Sequence, residues 1–469
     1  MSKQTELLTA LLNGEPIEDF KPKSRMEAYL KNCCLACGCD GLPEPISESD
    51  VLMYQLAEKI ANSGGGGGSG GGNGDDFAIG DGNTHLWISL PEGRTSPMVG
   101  VCPNGTVTVD WGDGTEPDVL TGTSTTAVKW TPNHQYAKAG DYVITLTVDG
   151  EMGFSGENAS DKYSCILRYS ASANKTNNAY RTALEKVEVG RGVTSIGSSA
   201  FNCCNALEKV AIHAGATSIG SSAFMECYAL KNITIPESVN SIGGSAFSGC
   251  YVLENITIPE SVNSIGDYAF NDCHALKNIV IPDGVTSIAA RAFSCCYALK
   301  NITIPDSVTI INSYAFDGCY ALENINIPEG VTKISSYAFN KCYALKNINI
   351  PEGVTVIGGS SFYNCFNLEK ITIPNSVTSI DYYVFNNCHA LESVVIHNNL
   401  TYIGTGVFAG CFGVKVYDFT SHTAVPTLSN TNAFQNISPD CEIRVPAALY
   451  DEWIAATNWA TYASNIVAV

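Results

Sequence analysis

A phenylalanine recurs every 23 residues, ten times without a miss, from Phe201 to Phe408. Three residues after each stands a cysteine, from Cys204 to Cys411. A leucine follows three further on, from Leu207 to Leu391, until Val414 breaks the run; an isoleucine precedes each Phe, from Ile196 to Ile403. Four apolar columns in register over ten periods are incompatible with one closed core. They require short coils, each too small to bury its own apolar set, stacked on one another.

One unit, Ile256 to Asn278, shows how a coil is built. Ile256-Thr-Ile258 alternates, which makes a short strand with both isoleucines on the buried face, and Pro259 ends it. Val262 and Ile265 point inward from a second extended segment, Gly266 allows a turn, and Ala269, Phe270, Cys273 and Leu276 complete the core. The middle strand positions (Thr257, Val280, Thr303, Asn326, Asn349 and Thr372 among them) belong on an exposed sheet face without a deep pocket.

The chain has 19 cysteines, but their placement argues against a disulfide ladder. Equivalent side chains on stacked coils stand about 4.8 Å apart, beyond the Cβ separation of about 3.8 Å in a disulfide. Thiols spread along a line also do not converge on a metal. The column therefore reads as core filling. Cys203 and Cys295, each beside a column cysteine, are expected to face outward as the reactive thiols.

The pattern Ile-x-Ile-Pro…Val…Ile-Gly…Ala-Phe…Cys…Leu resembles the BspA-like subgroup of leucine-rich repeats over about residues 185–415. That resemblance implies a solenoid of ten 23-residue coils and a surface or adhesion role, as in bacterial and some protist members. It leaves the ligand open.

An aromatic column follows the cysteines: Tyr228, Tyr251, His274, Tyr297, Tyr320, Tyr343, Phe366, His389 and Phe412. Beside an inward cysteine it should lie at or near the surface. Two readings stay open, a ladder of rings that stabilises the coils, which is favoured, and a surface-binding stripe made by Tyr228, Tyr251, Tyr297, Tyr320, Tyr343 and Phe366. A second, partial column two residues before Phe carries Tyr268, Tyr314, Tyr337 and Tyr383. Residues 416–469 leave the period; a strand and an amphipathic helix with Leu449, Trp453 and Ile454 should cap the array.

Ahead of the repeats, Val107-Thr-Val-Asp-Trp-Gly-Asp-Gly-Thr115 is an alternating strand running into a glycine turn. His134-Gln-Tyr136 and the alternating strand Tyr142 to Val148 follow. Together they resemble a PKD-type immunoglobulin-like domain, which implies a β-sandwich over 75–150 serving as spacer or weak binding module. Asp110 and Asp113 are expected to shape the turn rather than bind calcium. Residues 151–184 form a connector and N-cap, with Cys165 to Tyr169 as a capping strand.

Residues 1–62 read as a small helical attachment module with a capping box at Ser24 to Glu27. Residues 63–74 read as a glycine-rich linker. Cys33, Cys34, Cys37 and Cys39 crowd together without a second separated ligand pair, so no metal is assigned and zinc stays the minor alternative. The segment from Phe20 to Pro45 is similar to N-terminal regions of structural proteins from bacteriophages of gut bacteria.

With 26 basic against 46 acidic residues the net charge is −20, which disfavours nucleic-acid and anionic-membrane partners. No secretory leader is recognised at the N-terminus, and no run of about 18 apolar residues suggests membrane insertion. No nucleophile or phosphate-binding constellation points to an enzyme, a catalytic residue or a cofactor. The resulting expectation is a non-enzymatic bacteriophage virion protein, a head or tail fibre or appendage. It would be held to other virion proteins through residues 1–62 and would touch a bacterial surface glycan or protein through the solenoid. A BspA-like adhesin at the bacterial cell surface is the alternative, and homo-oligomer formation is left open.

Overall fold

The computed structural model describes residues 81–93, 95–155, 165–168 and 183–469. The helical module expected over 1–62, its cysteine cluster and the glycine-rich segment 63–74 lie outside the described residues. Two compact units divide the rest. One holds the described residues up to Ser294 together with Thr303–Val308, the other Cys295–Ile302 and Thr309–Val469.

The first unit opens with β1 (Thr84–Leu90), β2 (Met98–Asp110), β3 (Asp118–Thr123), β4 (Lys129–Trp130) and β5 (Gly140–Phe154). β2 pairs antiparallel with β3, β4 and β5, and β5 also with β1. The turn after β2 is built as its residues dictate. Asp110 Oδ1 accepts from the Gly112 N–H at 2.9 Å, and Asp113 Oδ1 accepts from the Thr115 hydroxyl at 2.7 Å. Gly112 sits at φ +73°, where a Cβ would stand 2.4 Å from the Val143 carbonyl oxygen. The two motifs meet here: the Trp111 ring stacks on His134 at 4.5 Å, and the Tyr136 hydroxyl donates to the Trp111 carbonyl at 2.8 Å. Both aspartates thus shape the turn.

This β module is welded to the repeats rather than tethered to them. β1 pairs antiparallel with β7 (Leu184–Val189), while the last residues of β5 run parallel to β8 (Val193–Ile196). A short β6 (Leu167–Arg168) pairs with the start of β2. From there two strand lines climb the unit in parallel register. β9 (Lys209–Ile212) and β11 (Asn232–Thr234) extend one line; β10 (Ser218–Ile219), β12 (Ser241–Ile242) and β13 (Ser264–Ile265) extend the other. An open solenoid end would expose an unpaired strand edge. β1 and β5 cover both lines, so the module is the cap itself.

The inward columns pack as the period predicts. Phe201, Phe224, Phe247, Phe270 and Phe293 are buried and stack at 5.1–5.5 Å, and Phe316 to Phe408 repeat the ladder in the second unit at 5.3–5.6 Å. Each such side chain contributes on the order of 2–3 kcal/mol of burial. Where a glycine follows the column isoleucine, the neighbouring coil approaches closely, although Ala289, Asn312, Ser335 and Asp381 stand there in other coils. A Cβ on Gly266 would stand 2.5 Å from the Gly244 backbone nitrogen.

The second unit repeats the two lines, one from Asn324–Asn326 to Val416–Asp418 and the other from Ile310–Ile311 to Thr427–Leu428. The coils outlast the sequence period. Phe434, 26 rather than 23 residues after Phe408, stacks on it at 5.4 Å, and Glu442–Val445 pairs with Val416–Asp418. The three-residue insertion hides this coil from a search at fixed spacing. Only then does the cap follow, with helix α1 (Tyr450–Ala455) and a final strand, Ile466–Ala468. Trp453 and Trp459 are fully buried, at 5.0 and 5.6 Å from Phe419, and the Trp459 indole donates to the Pro426 carbonyl at 2.7 Å.

Candidate binding surface

The cysteine column is core, and it carries a hydrogen bond that its spacing did not suggest. Cys227, Cys250 and Cys273 donate to the carbonyls of Phe201, Phe224 and Phe247 at 3.1–3.3 Å, and the second unit repeats this from Cys342 to Cys411. Burial raises the thiols of Cys227, Cys250, Cys342, Cys365, Cys388 and Cys411, the last to about 12, which removes the thiolate needed for redox or metal chemistry. The expectation that Cys203 and Cys295 face outward fails. Cys203 is buried with its thiol donating to Asn202 and to the Glu226 carboxylate, and Cys295 is half-buried against the aromatic column. Both backbones are left-handed, at φ +58° and +59°.

The aromatic column after the cysteines is a ladder. Tyr297, Tyr320 and Tyr343 are only 3–6% exposed and stack at 4.7–4.8 Å, with Phe366 continuing at 4.9 Å. In the first unit Tyr228, Tyr251 and His274 stack at 4.6–4.8 Å, and Tyr251 and His274 are buried. Ring faces are spent on neighbouring rings. Within the stripe, Tyr251, Tyr297, Tyr320 and Tyr343 therefore lie buried rather than at the surface as the alternation from cysteine implied, while Tyr228 and Phe366 are half-buried. A tight turn replaces the strand there, so neighbouring residues need not point to opposite sides.

Phe412, at the end of that column, is exposed, and the other column carries exposed tyrosines along its length. Tyr268 and Tyr383 are 40–42% exposed, as is the neighbouring Tyr382, and Tyr314 and Tyr337 are partly so. Every tyrosine of this column lies at positive φ: Tyr268 and Tyr314 at +60°, Tyr337 at +60° and Tyr383 at +53°. So do the serines at the same position, Ser199, Ser222, Ser245 and Ser360, and Gly406. Left-handed backbone costs a non-glycine residue about 1–2 kcal/mol, and a bulky side chain there is uncommon. Serine and glycine satisfy this turn elsewhere, so the tyrosines are not needed to form it.

In the second unit these side chains make a ridge. Tyr314 and Tyr337 stack at 4.6 Å, nearly parallel. Tyr382 fills the gap left by small residues, its ring so close over Gly359 that a Cβ there would stand 2.6 Å away, and the Tyr383 ring lies likewise over Gly406. Partial burial, then Tyr337, Asp381 and Tyr314, raise the Tyr382 hydroxyl above its ordinary range. In the first unit the Arg291 guanidinium sits 5.7 Å above the Tyr268 ring, a cation–π contact.

The strand face is polar, as its middle positions imply. Asn324, Asn326, Asn347, Asn349, Lys370 and Thr372 point outward around an open groove of about 430 Å³, while Ile325, Ile348 and Ile371 are buried beneath. Among the described residues no group of three or more His, Cys, Asp or Glu side chains could hold a metal, and no described helix is long and apolar enough to cross a membrane.

The BspA type leucine-rich repeat model matches residues 194–323 and 309–439, more than half of the sequence. The chain belongs to that family. Among solved structures, a leucine-rich repeat protein from Bacteroides ovatus is 29% identical, over 58% of this chain and 76% of its own, with a TM-score of 0.48. A leucine-rich cell surface protein from Faecalibacterium prausnitzii is 31% identical, over 62% of this chain and 91% of its own, with a TM-score of 0.40. No curated protein matches the chain.

Proposed function

We propose that this BspA-type chain is a non-enzymatic, adhesin-like protein that works at a bacterial cell surface by docking a partner protein on its tyrosine ridge. The observation that carries the reading is the placement of Tyr314, Tyr337 and Tyr383 at left-handed positions where other coils carry serine or glycine. Tyrosine offers a large amphipathic contact at small entropic cost. The stacked pair presents ring edges and hydroxyls rather than open faces, which suits a protein surface better than the flat side of a sugar. A net charge of −20 and the arginine seated on Tyr268 favour a partner with an arginine-bearing surface. Family membership supports the role, as does the Faecalibacterium relative, named as a cell surface protein.

The virion reading draws on residues 1–62, the glycine-rich segment 63–74, the free thiols and a spacer domain, none of which points to a virion among the described residues. Mass spectrometry of purified phage particles and washed cell envelopes separates the two, because recovery from envelopes only excludes the virion. For the ridge, Tyr314, Tyr337 and Tyr383 are replaced together by Ser, the residue other coils carry there. Adhesion of beads coated with the chain to target cells should fall at least about tenfold while the melting curve is kept, and an arginine-rich peptide should compete with the native chain. Unchanged adhesion, or competition by neutral glycans alone, would sink the reading.

A further inference from the structure

Each column cysteine given a partner above finds the carbonyl of the Phe 26 residues before it, but the residue 26 before Cys204 is Asn178. The Cys204 sulfur instead lies 3.0 Å from the sulfur of Cys165, a residue outside the period, and both side chains are fully buried. That separation is within about 1 Å of a disulfide bond. Cys165 is held there by its own segment. The Ile166 N–H donates to the Ala200 carbonyl at 3.0 Å, the Ile166 carbonyl accepts from Gly100 N–H at 2.8 Å, and Leu167–Arg168 pairs with Met98–Val99.

We propose that Cys165 and Cys204 are an oxidative modification site, forming a disulfide that staples the β module to the first coil. The oxidant is a low-molecular-weight disulfide such as oxidised glutathione. One cysteine thiolate attacks it, giving a mixed disulfide and releasing one thiol. The second cysteine then displaces the other thiol, so the protein loses two protons and two electrons and the oxidant leaves as two thiols. Burial raises the Cys204 thiol well above its ordinary value, so exchange is slow once the end has closed and the bond forms during folding. Cys165 and Cys204 are 39 residues apart, so the bond would close a loop long enough to constrain the unfolded chain.

The test folds the full chain with oxidised glutathione, alkylates it under denaturing conditions and maps its peptides. A Cys165–Cys204 linked peptide is expected, and reduction should lower the melting temperature by on the order of 10 °C. Cys227→Ser should retain the link and its reduction-sensitive melt, whereas Cys204→Ser should lose both. Full alkylation of both residues, or a link from Cys165 to Cys203 instead, would overturn the proposal. Should Cys204→Ser fail to fold, the peptide map of the native chain still decides.

Discussion

Two tyrosine columns run through this chain at the same 23-residue spacing, and they end in opposite environments. Tyr297, Tyr320 and Tyr343 are buried, whereas Tyr314, Tyr337 and Tyr383 line a surface ridge. Both columns stack at about the coil spacing, 4.6–4.8 Å. The difference lies in the backbone. The buried column follows the cysteine, in the turn that leads back to the strand, while the exposed one occupies the left-handed residue two before the Phe. Identity and period do not tell a structural aromatic from a presenting one. The left-handed backbone marks the second column, and the docking role proposed for its tyrosines rests on that placement.

The comparison is broken most directly in the buried column. Tyr320→Ser should cost about 3–5 kcal/mol in denaturant unfolding, from lost burial and an unfilled slot between two rings. A cost below about 1 kcal/mol would mean that the ladder is ornamental. Next comes the histidine of that column. Burial holds the His389 imidazole down at about 4, so it is neutral in the folded state, whereas the unfolded chain takes up its proton near pH 6.5. Its contribution is therefore fully present above about pH 6.5 and is lost as pH falls toward 4. His389→Phe, with Phe already at positions 366 and 412, should flatten the fall of melting temperature over that window. An unchanged slope would place the acid sensitivity elsewhere. The smallest effect belongs to the exposed column. Tyr337→Gly relieves the left-handed strain but loosens the unfolded chain, so stability should stay within about 1 kcal/mol of the native chain. A larger loss would make the ridge structural and remove the contrast between the columns.

Much of the repeat could be read from its residues, since inward Ile, Val, Ala, Phe, Cys and Leu recur at positions where a coil has to bury something. The polar strand face was equally plain, because Thr257, Asn326 and Asn349 alternate with buried isoleucines. The site was read less well. The alternation rule that made the column after cysteine exposed holds for strands, and these residues are in a turn. The tyrosines two residues before Phe were visible as a column, yet nothing in the letters marks positive φ when serine, arginine and tyrosine share the position. The coil containing Phe434 was hidden by an insertion of three residues.

By itself the sequence determined that this chain stacks, what fills its core and where its regular period stops, because repeated local patterns need only neighbouring coils to be satisfied. The tertiary structure decided the rest. It made the β module a cap by pairing β1 and β5 with the first coil, and it brought Cys165 to Cys204. It also chose which tyrosines face outward. Each of these depends on strand pairing across long separations or on backbone dihedrals set by the neighbouring coil, and neither is written in any single stretch of residues.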